Sequence, residues 1–570
     1  MDLTGDGDST ASRGVADGGE EENLELRVSR YKSPSLRQPR TRPGIPRIYY
    51  INFQTRPATH ESSSARFQPR KINAGAMGED SGDDRISTLP NDILLNILDR
   101  LHVSNAAKTS ILSKRWSQLS AKLPRLIINP LPEGLLSLFG RDLSRANISD
   151  GDLARLNAAT FKATKSVLAR REPGSDTIRL LSTTFYLIGD VPISIGHAVG
   201  QAMAVHQIEK AEFTVLTVKD REQCRLVDLA NYGTQFVSLF NECRNTFSCL
   251  TRLYLENLRF ESDFLSNIFV TCKLLKYIGF FNCDTYKWIT LQIEHAQLNE
   301  LSLVNCRFDK VELKWLPKLT RTTYKFWISF KELPLSFGHV PLLEFLELTN
   351  VTFTSHKVVS LSMLLSEMCV EDLRLGFKCE KIWVQPEPPT ERLAAAFRGL
   401  RIVNLESIPE GHDLTWTMFI LEAAPCLEEF YMSVMDHPCE MEMHPERRKQ
   451  LLYSDNKGVE WESPRSDFEH RRLTKLIIFC FGNYIVSHLR RVMKVAVNLM
   501  DVYLYDRVAC RYCEHINPLN PGRLPRNKKK LNALRNLLTQ GMESPSRIHF
   551  LTPSPEMDAD HAERSPEGFR

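Results

Sequence analysis

One spacing recurs through this chain and restricts what it can fold into: apolar-x-x-apolar-x-apolar, followed by asparagine and a further apolar residue. Leu250, Leu253 and Leu255 precede Asn257 and Phe260; Leu298, Leu301 and Leu303 precede Asn305 and Phe308; Leu343, Leu346 and Leu348 precede Asn350 and Phe353. Leu275, Ile278, Phe280 and Asn282 fit with aromatic drift, and Val370/Leu373/Leu375, Leu400/Val403/Leu405, Leu427/Phe430/Met432, Leu473/Leu476/Ile478 and Leu499/Val502/Leu504 keep the apolar spacing. Most intervals are 23 to 30 residues. Alternate apolar residues after the first point the same way from a short strand, and the asparagine can bond backbone groups at the turn that follows. Burying three such side chains yields roughly 5–9 kcal/mol, whereas fixing about 25 residues costs on the order of 1–2 kcal/mol each, so a coil is stable only when stacked on others. The pattern predicts a contiguous, irregular solenoid of the α/β class, least regular over residues 126–240, where the spacing does not fix a repeat number.

A second kind of periodicity precedes it. Residues 84–126 read DRISTLPNDILLNILDRLHVSNAAKTSILSKRWSQLSAKLPRL. Pro90 suits a first helical position, Asp92 complements the helix dipole, and Ile93, Leu94, Ile97, Leu98 and Leu101 share one face of a helix roughly 18 Å long at 1.5 Å per residue. Ser104 offers an N-cap to a second helix ending near Leu112, and Ser113 to a third that carries Trp116 and Leu119. A module of about forty residues is too small to enclose all these side chains, so some are expected to face a partner.

This stretch resembles the F-box. The Leu89-Pro90 pair, the apolar helix behind it, the Ala-Ala-Lys-Thr-Ser run and Lys114-Arg115-Trp116 carry the resemblance. The repeats resemble the leucine-rich region of plant F-box proteins over roughly residues 120–550. Residues 473–506 look like the FBD element of that family, with Asn483, Tyr484 and Val486 where acidic residues are usual. The resemblance implies a non-enzymatic substrate receptor. The F-box would dock on a Skp-type adaptor (S-phase kinase-associated protein) held by a cullin, and other subunits would perform the thioester chemistry. By position, Leu89, Pro90, Ile93, Leu94, Ile97, Leu98, Leu101, Ile111, Leu112 and Trp116 would face the adaptor. A client protein would meet the outward positions of the strands, among them Tyr254, Tyr277, Phe281, Phe345, Glu347, Arg374, Tyr431, Tyr503 and Tyr505. The alternative is an interaction scaffold without productive ubiquitination.

Composition narrows the remaining classes. At 570 residues several units are expected. We divide the chain into a disordered extension (1–80), the F-box (81–126), the solenoid (127–470), its FBD-like end (471–550) and a disordered tail (551–570). Met77 lies just ahead of the F-box and is a possible alternative start. Seventy-three basic against 69 acidic residues leave +4, which argues against a whole-protein field for nucleic acid or an anionic membrane. Thirteen scattered cysteines, no signal peptide and no run of eighteen apolar residues favour a reducing nuclear or cytoplasmic setting without a membrane span. No Walker-type, GxSxG or GxGxxG motif appears. Cys510, Cys513 and His515 have metal-ligand spacing, and His437, Cys439 and His444 could complete a zinc site, but nothing local enforces it. A loop with free cysteines is expected, with no metal or cofactor, and residues 526–530 read as a solvated basic helix start in preference to a nuclear import signal or a nucleic-acid contact, since no aromatics are interleaved.

Overall fold

The computed structural model describes residues 86, 88–101, 105–106, 109–129, 148–172, 177–327, 333–350, 358–365, 368–377, 382–409, 412–435, 468–506, 524–542 and 546–552. The residues proposed as extension, the alternative start at Met77, the Cys510–His515 cluster with His437, Cys439 and His444, and residues 553–570 lie outside these.

Fourteen strands, all parallel and in chain order, form one continuous sheet. They are β1 (Arg125–Ile128), β2 (Leu180–Tyr186), β3 (Ala211–Leu216), β4 (Arg252–Glu256), β5 (Tyr277–Phe281), β6 (Glu300–Val304) and β7 (Arg321–Trp327). They continue through β8 (Phe345–Asn350), β9 (Asp372–Gly376), β10 (Ile402–Pro409), β11 (Glu429–Met435), β12 (Lys475–Phe479), β13 (Asp501–Tyr505) and β14 (Arg547–Leu551). The repeat spacing sets the register: Leu253, Ile278, Leu301, Thr322, Leu346 and Leu373 stand side by side, and so do Leu255, Phe280, Leu303, Tyr324, Leu348 and Leu375. All these side chains are buried, so each coil's apolar row is sealed by the next.

Asn257 acts as the spacing anticipates, its Nδ2 donating to the Lys219 carbonyl at 3.0 Å, whereas Asn350 ends β8 and among the described residues neither of its side-chain polar atoms is bonded. Asn257, Asn282 and Asn305 adopt positive φ of 56°, 52° and 57°, a conformation in which asparagine is favoured among residues with a side chain. Asn282 Nδ2 donates to Asn257 Oδ1 at 2.6 Å, and Asn257 Nδ2 to Thr217 Oγ1 at 2.7 Å, tying three coils together. Behind the sheet lie helices toward both ends, including α3 (Asp150–Ala169), α4 (Val191–Val205) and α5 (Leu226–Glu242) near the start. In the middle, three short parallel strands (Thr290–Glu294, Lys310–Trp315, Leu335–His339) take the helices' place. Gly233 lets α5 cross the strand Arg259–Phe260, because a Cβ there would sit 1.9 Å from the Arg259 carbonyl oxygen.

Several coils escape the leucine template. β7 fills one 45-residue gap between matches, carrying Leu319, Thr322 and Tyr324 at the template positions. β1, β2 and β3 resolve the irregular region into coils built on Leu126, Leu181, Thr183, Phe185, Phe213 and Val215. There phenylalanines replace leucines, and the rings of Phe185, Phe213, Phe247 and Phe236 meet edge-on at 5.3, 5.6 and 5.7 Å. β12, a turn at Gly482, α6 (Val486–Val495) and β13 reproduce the strand, turn, helix and strand order read from residues 473–506. α7 (Lys528–Thr539) and β14 add one more coil, and the sheet shows no break near residue 470.

The F-box comprises α1 (Asn91–Asp99) and α2 (Lys114–Ala121), with a 3-10 turn at Thr109–Ile111. Pro90 stands one position earlier than expected, as the N-cap, and its carbonyl accepts from the Leu94 amide at 3.1 Å. Ser113 caps α2, accepting from the Trp116 amide at 3.3 Å. Leu126 lies in β1, and only residues 122–124 separate α2 from the sheet.

Candidate functional site

Two surfaces present themselves for binding. On the F-box, α1 and α2 are clamped by Arg115, which donates through Nε to Asn91 Oδ1 at 2.8 Å and through Nη2 to the Leu89 carbonyl at 2.5 Å. Beneath the clamp, Leu94, Leu98, Trp116 and Leu119 join the same apolar core as Leu126 and Ile128, so the module is fastened to the first coil. This corrects part of the adaptor-facing set: Leu94, Leu98 and Trp116 are covered by their own chain and are not available to a visitor. The physical reason is helical phase, since a stripe wide enough to include positions 93, 94, 97 and 98 has an inner and an outer half. The outer half remains. Ile93 is 45% exposed, Ile97 41%, Leu101 40%, Ile111 86% and Leu112 66%, with Pro90 exposed and Leu89 half-buried beside them.

The second surface is the outer face of the sheet. One row of side chains runs Arg252, Tyr277, Glu300, Arg321, Phe345 and Asp372 on adjacent strands. Its members cover one another. The Arg252 guanidinium carbon sits 3.4 Å above the Tyr277 ring, and those of Arg321 and Arg374 lie 3.8 and 4.9 Å from the Phe345 ring. Phe345 is thereby buried, which removes it from the exposed client-facing set, and Glu347 is buried in its ion pair with Lys325. Burial works against the Lys325 ammonium, yet Glu347 and Glu406 hold its pKa above the ordinary range. Burial raises the Glu300 carboxyl against the pull of Arg252 and Arg321. Tyr254, Tyr277, Phe281, Arg374, Tyr431 and Tyr503 are half-buried, so their edges remain open to contact. Tyr505 is covered, with Phe479 stacked on it at 4.9 Å, and Tyr503 stacks on His549 at 4.6 Å.

This pairing was missed from sequence, although Arg252, Glu300, Arg321 and Asp372 occupy one template position and their charges were open to comparison. Among the described residues no group of three His, Cys, Asp or Glu could hold a metal, and no helix is long and apolar enough to cross a membrane.

Comparison with known proteins agrees with this architecture. Residues 211–517, more than half of the chain, match the family model "At1g61320/AtMIF1, LRR domain", and residues 86–128 match the F-box domain model. The Arabidopsis thaliana protein named "Putative F-box protein At1g67390" is 27% identical over 261 residues, 43% of this chain and 51% of that protein. "F-box/FBD/LRR-repeat protein At2g04230", also of Arabidopsis thaliana, is 50% identical over 57 residues, 10% of this chain and 12% of that one. The chain thus spans about half the length of the first of these curated relatives and about a tenth of the second. With its sheet of stacked coils and an F-box domain ahead of it, the chain belongs to the At1g61320/AtMIF1 leucine-rich-repeat family.

Proposed function

We propose that the chain is the substrate-recognition subunit of a Skp–cullin–F-box ubiquitin ligase, working in the nucleus, the cytoplasm or both. The observation that carries this reading is the exposed ridge of Ile93, Ile97, Leu101, Ile111 and Leu112 on a module whose inner side is locked to the solenoid. Each of these side chains adds roughly 1–2 kcal/mol when an adaptor covers it. Leu89 and Pro90 border the same ridge. An apolar core continuous from the module into the first coil lets the ridge set where the solenoid, and any client on its Tyr254, Tyr277, Phe281, Arg374, Tyr431 and Tyr503 edges, stands relative to the ligase. The chain then contributes effective concentration, and no catalytic side chain is required of it.

The test is co-expression with a Skp-type adaptor and a cullin. Ile97→Asp with Ile111→Asp should cut adaptor recovery by more than about tenfold, leave the melting temperature unchanged and lengthen the lifetime of a co-purifying client. Undiminished recovery overturns the reading. Lost recovery with an unchanged client lifetime favours a scaffold without productive ubiquitination.

A further inference from the structure

The helical layer behind the last coils differs from the sheet face in its charge. Residues 483–500 and 524–542 contain no aspartate or glutamate, while α6 carries Arg490, Arg491 and Lys494, and α7 with its lead-in carries Arg526, three consecutive lysines from Lys528, and Arg535. The two helices pack together, with Arg490 Nη2 donating to the Gln540 carbonyl at 2.9 Å. Arg535 is occupied too, bonded to the Ile548 carbonyl at 3.3 Å and lying 5.3 Å from the Phe550 ring. The other six cations form no ion pair among the described residues. Arg526 and the three lysines are exposed.

That arrangement opposes folding locally. Lys528, Lys529 and Lys530 fill the first turn of α7, where the helix dipole disfavours cations by about 0.3–1 kcal/mol each, and they repel one another. On the sheet face, by contrast, Arg374, Lys475 and Arg547 each have a carboxylate on the same or the adjacent strand. The helical layer also exposes apolar side chains: Tyr484 by 37% and Leu537 by 44%, with Val497 and Met500 at its edge by 40% and 56%. A phosphodiester backbone has no use for scattered aliphatic groups, and among the described residues no ladder of exposed aromatics is present to stack bases. An acidic amphipathic polypeptide matches both the cations and the apolar side chains.

We infer that the outer side of α6 and α7 is a second docking surface, built for an acidic amphipathic segment of a partner protein. α7 is 12 residues long and spans roughly 18 Å, which an extended segment of about six residues covers at ~3.3 Å each. The surface stands apart from the adaptor ridge and does not rest on the ligase reading.

The experiment uses the full chain and a fluorescent peptide of alternating glutamate and leucine, read by polarisation at two salt concentrations. Binding that weakens with salt, falls by at least about tenfold in Lys528→Glu/Lys529→Glu/Lys530→Glu and is absent for a glutamine-for-glutamate peptide supports the inference. Leu537→Ser should weaken it a few-fold. Should the triple variant melt early, Arg491→Glu/Lys494→Glu supplies the same comparison from α6. Ile97→Asp leaves peptide binding unchanged, so failure here and failure of adaptor docking are distinguishable. The inference is overturned if the wild type does not bind the peptide, if charge reversal has no effect, or if single-stranded RNA or anionic vesicles bind more tightly than the peptide.

Discussion

The F-box and the solenoid are made of the same kinds of apolar side chain and dispose of them differently. In the repeats Leu253, Leu301, Leu373 and Leu405 are wholly covered, whereas on α1 Ile93 and Ile97 keep almost half their surface in contact with solvent. A stack closes because each coil is roofed by its neighbours; two short helices and a 3-10 turn have one neighbouring coil and cannot wrap around themselves. Apolar exposure at the F-box is therefore a consequence of module size, and it gives a partner something to cover.

Substitutions can break that contrast. The largest expected effect is Leu301→Ala, which removes a side chain held between Ile278 and Thr322 and should cost about 3–5 kcal/mol in chemical denaturation. Ile97→Ala should change stability by less than about 0.5 kcal/mol. Equal losses at the two positions would erase the distinction between ridge and core.

Acid should find the next weakness, in the solenoid. His412 and His488 are buried, and desolvation depresses both to about 4, with Arg491 adding to the effect at His488. Among the described residues neither His412 ring nitrogen has a partner, while His488 Nε2 lies 3.2 Å from Thr417 Oγ1. Because the folded pKa lies below the unfolded 6.5, the stabilising contribution is complete above pH 6.5 and is lost as pH falls toward 4. Roughly 2–3 kcal/mol is at stake per histidine. Melting temperature against pH should therefore fall over that window, less steeply in His488→Gln and least in His412→Gln/His488→Gln; a profile flat in the wild type contradicts the assignment.

Smaller effects sharpen the comparison. Ile111, 86% exposed, should leave folding untouched as Ile111→Ser while weakening adaptor binding about tenfold, near 1.4 kcal/mol, by calorimetric titration. Asn282→Gly keeps the positive φ but deletes the bond to Asn257, and should cost about 1 kcal/mol; Asn282→Ala should cost more, because it adds backbone strain. If the two variants melt alike, the backbone conformation contributes nothing at this turn.

Much of this architecture was legible beforehand. The template located nine of the fourteen strands, because alternation with a fixed offset leaves few other ways to bury leucines. It overlooked β7, where threonine and tyrosine occupy the leucine positions, and left β1 to β3 unresolved, where Phe185 and Phe213 stand at buried positions of β2 and β3. On the F-box it gathered the right residues into one stripe but could not divide Leu94, Leu98 and Trp116 from Ile93, Ile97 and Ile111.

Local sequence, then, determined the kind of element, its period and the need for stacking, since these follow from the spacing of apolar groups along a few turns of chain. Tertiary structure decided which half of the α1 stripe is inside, which charges on the sheet find carboxylates, and that the cations of α6 and α7 find none among the described residues. Those outcomes depend on neighbours tens of residues away. Arg115 reaches back to Leu89, and His488 meets Thr417 from a coil 71 positions distant; only packing brings such pairs together.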